Sequence, residues 1–192
     1  VQYAGTGPTD AAGAAIADCM EHLRGCVALI RARHAKTRIV LVGIFDDVHW
    51  AKNLDRWHDP AALANIASVM DLFDDGLRQI ARGDPNIAFA DERAWFTSHW
   101  GGRGADGAPA YKAISFGGTP AVTNSLGGSP DHGTVAVGQG GTNGNGLWLS
   151  DLIDLLNSTW NLGLTPIRPD ELAHLADPEA GFGIRPAPAV TV

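Results

Sequence analysis

The sequence predicts a mixed α/β fold built on a mostly parallel sheet. Strand patterns alternate with helical patterns of more than ten residues along the 192 residues, and such alternation forms parallel crossovers with helices on both faces of the sheet. The strand pattern from Arg38 to Ile44 is a continuous aliphatic and β-branched run, which is typical of a parallel strand buried on both faces.

The first half of the chain accounts for most of the predicted sheet. Val1 to Gly5 is a predicted strand, and a helix follows from about Thr9 to Ala35. Its apolar residues recur at steps of three and four, which is the helical period: Ile16, Cys19, Met20, Leu23, Cys26, Val27 and Ile30. A second helix is predicted with Asp59 as N-cap and Pro60 at its first position. Its apolar positions are Leu63, Ile66, Met70, Phe73, Leu77 and Ile80. A short strand from Asn86 to Asp91 comes next.

The second half is predicted to add an edge strand and two helices. Ala110 to Gly117 is the strand candidate, and a long helix spans about Asn145 to Trp160. The apolar face of that helix is predicted to carry Trp148, Leu149, Leu152, Ile153, Leu156 and Trp160. A short helix from Pro169 to Ala176 follows. The chain length fits one domain over residues 1–180, with a proline-rich tail over 181–192.

Charge and hydropathy exclude two classes of partner. The net charge is -7, and the Lys and Arg residues are scattered without a basic stripe, so nucleic acid is not an expected partner. The longest aliphatic run, Ile39 to Ile44, is far shorter than the roughly 20 residues that span a bilayer. The chain is therefore expected to be soluble.

The two cysteines are expected to be buried apolar residues. Cys19 and Cys26 lie about two turns, roughly 10 Å, apart on one helix, which is beyond the reach of a disulfide. They leave the compartment open, secretion included. The opening residues already resemble a strand, and there is no initiator Met, so the chain is expected to begin inside a fold.

The loop after Ile44 is the most polar place for a ligand, because ligands of open α/β sheets collect beyond the carboxyl ends of the strands. Asp46, His49 and Trp50 are the candidate substrate-binding residues there. The loop's acidic and imidazole groups match no closed metal-ligand spacing. Three interpretations of the loop remain open: a solvated loop that covers its tryptophans, a substrate contact, and a metal site. The metal site is the least favoured of the three, so no metal or cofactor is expected.

Two other motifs are weak. Gly138, Gly140 and Gly144 precede a helix as in a dinucleotide loop, but no strand follows to carry the acidic ribose partner. Ser129 lies in G-G-S-P-D, near the serine-elbow pattern, but it follows no clear buried strand. A turn is the simpler interpretation of Ser129.

The order of these elements resembles the C-terminal two thirds of an SGNH/GDSL-type hydrolase. The resemblance covers most of the chain diffusely. It rests on the strand V-L-V-G-I, the strand I-A-F-A-D, a Gly-Thr loop entering the helix G-L-W-L-S-D-L-I-D-L-L-N, and the closing L-T-P-I-R-P-D-E-L. It implies a flavodoxin-like three-layer α/β/α sandwich, cleavage of carboxylic or acetyl esters, and no cofactor.

The resemblance also implies the positions of catalytic groups. A Gly-Asp-Ser nucleophile loop is absent here, as expected if the first strand lies upstream of Val1, so the nucleophilic Ser is not identified. The family's Gly-x-Asn-Asp loop, which helps bind the oxyanion, corresponds to Gly5, Thr6, Gly7 and Pro8. Gly5 matches this motif, whereas Gly7 has no side-chain amide to offer.

The acid and base of the resemblance can be placed in two registers. In the first, Asp131 and His132 are the acid and base, but they are adjacent instead of three residues apart, and extra residues precede the helix. In the second, Gly141 and Thr142 are the family's Gly-Thr, which restores the distance to the helix. The base position then falls on Gln139 and the acid on Val137 or its neighbour Ala136. Gln139 cannot act as a base; the loop distance favours this second register.

Two functions follow. The leading one is an ester hydrolase acting on a small ester or a carbohydrate ester, whose catalytic groups are incomplete in this chain. The alternative is a non-catalytic binding or structural domain on the same fold, which holds a carbohydrate or another protein with the loop that carries Trp50 and Trp57. The sequence leaves the oligomeric state open.

Overall fold

The computed structural model describes residues 9–44, 59–99, 101–103, 105, 109–111, 113–116, 119–124, 135–136, 142–168 and 170–171. The described helices are α1 (Thr9–Arg33), α2 (Pro60–Arg82), α3 (Glu92–His99) and α4 (Thr142–Trp160). The described strands are β1 (Ile39–Val42), β2 (Ile87–Ala90), β3 (Gly101–Arg103), β4 (Pro109–Tyr111), β5 (Ala113–Phe116), β6 (Thr119–Asn124) and β7 (Val135–Ala136). The fold is therefore mixed α/β, as predicted.

The chain divides into two compact units. Unit 1 comprises Val1–Val48 and Asp55–Ala94, and unit 2 comprises His49–Leu54 and Trp95–Val192. In the part of the chain that the structure describes, none of the helices is long and apolar enough to cross a membrane.

Unit 1 contains the predicted parallel pair. β1 and β2 align in parallel from Ile39 opposite Ile87 to Val42 opposite Ala90. The connection between them is α2, so the two strands and the helix form a βαβ crossover. Both strands are shorter than predicted, because only four residues of each are paired.

Helix α2 begins where the sequence predicts. The Asp59 side chain accepts a hydrogen bond from the Ala62 N–H at 2.8 Å, and Pro60 occupies the first turn. This is the N-cap arrangement that satisfies an otherwise unpaired backbone donor. At the other end, the Gly83 N–H donates to the Ile80 carbonyl at 3.2 Å.

The core of unit 1 joins α1, α2 and β2. Its buried members are Ala12, Ile16, Met20, Val69, Leu77, Ile80 and Ile87. A smaller cluster on α2 consists of Ile66 and Met70, against which Ile44 and Leu63 pack. All six apolar positions predicted for α2 lie in these two clusters or pack against them.

One prediction for α1 is wrong. Cys26 is exposed and Cys19 is only partly buried, and Ile30 is 36% exposed. The apolar residues of α1 occupy a wider part of the helix surface than the face that packs against α2. Ile16 and Met20 point into the core while Cys26 does not.

Unit 2 contains short strands and α4. β3 and β4 are antiparallel, and β6 pairs with β5 in antiparallel and with β7 in parallel. The predicted strand from Ala110 to Gly117 is divided between β4 and β5, which belong to different sheets. Helix α3 and strands β3, β6 and β7 were not predicted from the sequence. In α4, Leu149 is 47% exposed, so the prediction that Leu149 lies on the packed apolar face of this helix is wrong.

Candidate active site

A histidine and an aspartate of unit 2 form a close hydrogen-bonded pair. His99 Nε2 lies 2.7 Å from Asp151 Oδ2, and Trp95 Nε1 donates to the same oxygen at 2.8 Å. His99 is the last residue of α3, and Asp151 lies in α4. Two ring nitrogens therefore converge on one carboxylate oxygen.

Helix geometry explains why Trp95 and His99 converge. They are four residues apart on α3, so their side chains lie on the same face of the helix. Their ring centroids are 5.3 Å apart, with an interplanar angle of 54°. The start of α3 is held by Asp91, whose Oδ1 accepts from the Ala94 N–H at 2.9 Å. The indole supports both the imidazole and its carboxylate partner.

The pair is half-buried, which sets its electrostatics. The His99 side chain is 26% exposed and that of Asp151 is 39% exposed. Burial acts to raise the pKa of Asp151, but the hydrogen bonds from His99 and Trp95 and the His99 charge outweigh it and hold the pKa below its usual value. Asp151 is therefore ionised over the neutral range.

An ionised carboxylate accepts hydrogen bonds only, so Nε2 of His99 is the donor in this pair. In a neutral imidazole with Nε2 protonated, Nδ1 is the basic nitrogen. The carboxylate holds this tautomer and the orientation of the ring. A carboxylate also orients the imidazole base in Ser-His-Asp triads, although there the carboxylate bonds to Nδ1 and Nε2 is the base.

The candidate residues chosen from the sequence lie outside the described residues. These are Asp131, His132, Gln139 and Val137 for the acid and base, Gly5, Thr6 and Gly7 for the oxyanion loop, and Asp46, His49 and Trp50 for substrate binding.

His99, Asp151 and Trp95 were not among the site residues predicted from the sequence. The available signal was the Trp-x-x-x-His spacing directly after the strand that ends at Ala90. That spacing places two ring N–H groups on one helix face if the segment is helical. The segment from Glu92 carried no strong apolar period, so α3 was not predicted. Asp151, more than fifty residues away in sequence, could not be assigned as their partner.

The described residues contain no group of three or more His, Cys, Asp or Glu side chains arranged to hold a metal ion. Comparison of the chain with protein-family models, curated proteins and solved structures finds no match.

Proposed function

We propose that this protein is a serine ester hydrolase of the SGNH type, in which His99 is the general base and Asp151 orients it. The observation that carries the proposal is the 2.7 Å contact between His99 Nε2 and Asp151 Oδ2. The βαβ unit of β1, α2 and β2 supports an α/β architecture, and the proposal takes this unit to be part of the flavodoxin-like three-layer sandwich that the sequence resemblance implies.

The proposed reaction is two-step acyl transfer. His99 Nδ1 takes the proton of a serine hydroxyl, and the serine oxygen bonds to the ester carbonyl carbon. The imidazolium then gives that proton to the departing alcohol oxygen as the ester bond breaks. Water cleaves the resulting acyl-enzyme by the same proton transfers and releases the carboxylic acid.

The substrate class follows from charge and chemistry. A net charge of -7 without a basic stripe disfavours polyanions, so the proposed substrate is a small ester or a carbohydrate ester. The reaction requires no cofactor. The base in this proposal comes from α3, whereas the sequence resemblance places it at His132 or at the position of Gln139.

Four variants test the assignment of the base, with p-nitrophenyl acetate as the probe. His99→Ala and Asp151→Asn are each expected to lower kcat/KM by at least about 100-fold, because proton transfer from the nucleophile is lost. His132→Ala tests the alternative base. The matched control is His22→Ala, because His22 also lies beside a carboxylate, with 3.7 Å between Nδ1 and Asp18 Oδ1, but on the exposed surface of α1.

If His132→Ala loses activity while His99→Ala keeps it, the general base is His132, which follows Asp131 in the sequence. Labelling with a fluorophosphonate, followed by intact-mass and peptide analysis, identifies the nucleophilic serine. A wild-type protein that neither hydrolyses the ester nor takes up the label would refute the hydrolase proposal and favour the binding-domain alternative.

A further inference from the structure

One side of α1 lies away from the core of unit 1. Asp18, His22, Gly25, Leu29 and Arg33 follow each other at steps of three or four residues, so they share one face of the helix. All five residues are exposed. The buried residues of α1 belong to the core cluster on the opposite side of the helix. The five exposed residues define the outer face of α1.

The outer face carries a large apolar side chain. Leu29 is 67% exposed, which makes it the most exposed large apolar side chain in the part of the chain that the structure describes. Cys26, next to the face, is also exposed. A single exposed leucine is common on protein surfaces. The charges around Leu29 are therefore needed to indicate what covers it.

The exposed charges of α1 change sign along the helix. Asp18 and Glu21 are acidic and lie in the first part of α1, whereas Arg24 and Arg33 are basic and lie in the second part. The contact between Asp18 Oδ1 and His22 Nδ1 is 3.7 Å, which is longer than a hydrogen bond. The Asp18 carboxylate can therefore accept hydrogen bonds from a second partner.

A second copy of α1 that runs in the opposite direction matches this charge pattern. The position halfway between Asp18 and Arg33 falls between Gly25 and Cys26. If two copies of the helix cross at this position, Asp18 of each copy lies opposite Arg33 of the other. A parallel pair would instead place Asp18 beside Asp18. The antiparallel pair is two-fold symmetric, so it closes as a dimer.

The residues around the crossing are small enough for close packing. An added Cβ on Gly25 has no atom within 4 Å, and Ala28 and Ala32 are exposed beside it. Packed helix axes lie about 8–10 Å apart, according to the side chains at the contact. Glycine and alanine both permit a close approach, in which each Leu29 is covered by the other helix.

The charge of the whole chain restricts how two copies can meet. Each copy carries a net charge of -7, which opposes indiscriminate association. Opposite charges across the α1 pair favour this one orientation over others.

We propose that two copies of this protein associate through the outer faces of their α1 helices, which pack antiparallel with Asp18 of each copy opposite Arg33 of the other. The interface does not depend on the proposed hydrolase function, because it contains neither His99 nor Asp151. One helix face is smaller than the roughly 800 Å² that each partner buries in a typical stable complex. The dimer is therefore weak and concentration-dependent.

Sedimentation equilibrium of the full chain tests the association, over concentrations from about 1 µM to about 500 µM. The average mass is expected to rise from 20.1 kDa towards twice that value. Leu29→Glu is expected to raise the dissociation constant at least about tenfold, because it places a charge in the interface. Leu72→Glu is the matched control, since Leu72 is 46% exposed on α2, and it should associate as wild type does. A monomer at every concentration would overturn the proposal.

Charge reversal tests the antiparallel arrangement. Asp18→Arg and Arg33→Asp are each expected to raise the dissociation constant at least about fivefold, because each places like charges opposite one another at two symmetric positions. The double variant restores opposite charges and is expected to associate nearly as wild type does. Circular dichroism checks that the variants keep their helices. A double variant that associates no better than the single variants would overturn the proposed pairing.

Labelling of Cys26 with a maleimide shows what covers the outer face. Cys26 is expected to react rapidly in the dilute monomer and more slowly as the dimer forms, and peptide mapping separates it from the partly buried Cys19. A Cys26 that is protected in the monomer would show that another part of this chain covers the face, and would overturn the proposal. None of these measurements requires ester hydrolysis, so the hydrolase proposal and the dimer can fail separately.

Discussion

Asp74 shows how one residue combines opposing physical effects. Burial raises its pKa most strongly, and Asp91 adds to this effect, whereas the Ile44 N–H, Arg93 and Arg78 lower it. The net pKa lies above the ordinary value of 3.8. A folded state that binds a proton more tightly than the unfolded state is most stable when that proton is present.

The stability of the protein should therefore depend on Asp74 over a defined pH range. Its contribution is fully present below the unfolded pKa near 3.8 and is lost as pH rises through the raised folded pKa. Asp74→Asn, which cannot ionise, is expected to remove this decline and to be at least as stable as wild type at neutral pH. Urea unfolding at a series of pH values measures the difference.

The control for this titration is Asp75→Asn, which leaves Asp74 in place. The free energy of unfolding of Asp75→Asn is expected to fall with rising pH as that of the wild type does, because Asp74 still ionises. The prediction fails if Asp74→Asn loses stability as steeply as wild type does when the pH rises above 3.8. Arg93 pairs with Asp71 as well as with Asp74, so it keeps a carboxylate partner in the variant.

At the level of elements, two helical glycines have opposite surroundings. Gly76 of α2 faces α1, and an added Cβ would lie 2.6 Å from Met20 Sδ and 2.7 Å from its Cγ. Gly25 of α1 has no atom within 4 Å of an added Cβ. Close packing of α1 against α2 therefore requires glycine at position 76, whereas no packing contact requires glycine at position 25.

Replacing each glycine by alanine should change stability in opposite directions. Gly25→Ala is expected to stabilise the protein by up to about 1 kcal/mol, because alanine favours the helix. Gly76→Ala gains the same helix propensity but is expected to be destabilising overall by roughly 1 kcal/mol or more, since the buried Met20 side chain must move. Thermal unfolding of the two variants measures both. Equal effects would show that α1 and α2 do not pack as described.

At the scale of the whole molecule, unit 1 depends on a core that three elements share. Leu77 is 3% exposed and packs in the cluster formed by α1, α2 and β2. Leu72, on the same helix, is 46% exposed. These two leucines offer a direct test of whether that core stabilises the fold.

Leu77→Ala is expected to lower the free energy of unfolding by about 2–5 kcal/mol, because it removes buried methyl groups and leaves a cavity. Leu72→Ala should cost well under half as much, since its side chain remains largely in water. Denaturant unfolding of both variants gives the comparison. Similar losses for both would argue against the described core.

Local patterns were sufficient for the strongest elements. Asp59, Pro60 and the apolar period of α2 predicted the start and the packed face of that helix, because capping and periodicity involve neighbours in sequence. β1 and β2 were also found, since buried parallel strands are continuous apolar runs. Cys26 was assigned wrongly because an apolar residue on a helix is buried only where another element covers it.

The sequence alone established an α/β chain with a net charge of -7, its main helices and its parallel strand pair, since each of these depends on composition or on residues close together in the chain. Only the tertiary structure brought His99 to Asp151 and the Ile44 amide to Asp74. These partners are 52 and 30 residues apart, and no local pattern specifies a pairing over that separation. The chemistry of the molecule is decided by such distant pairs, because a carboxylate acquires its role from the group that folding places beside it.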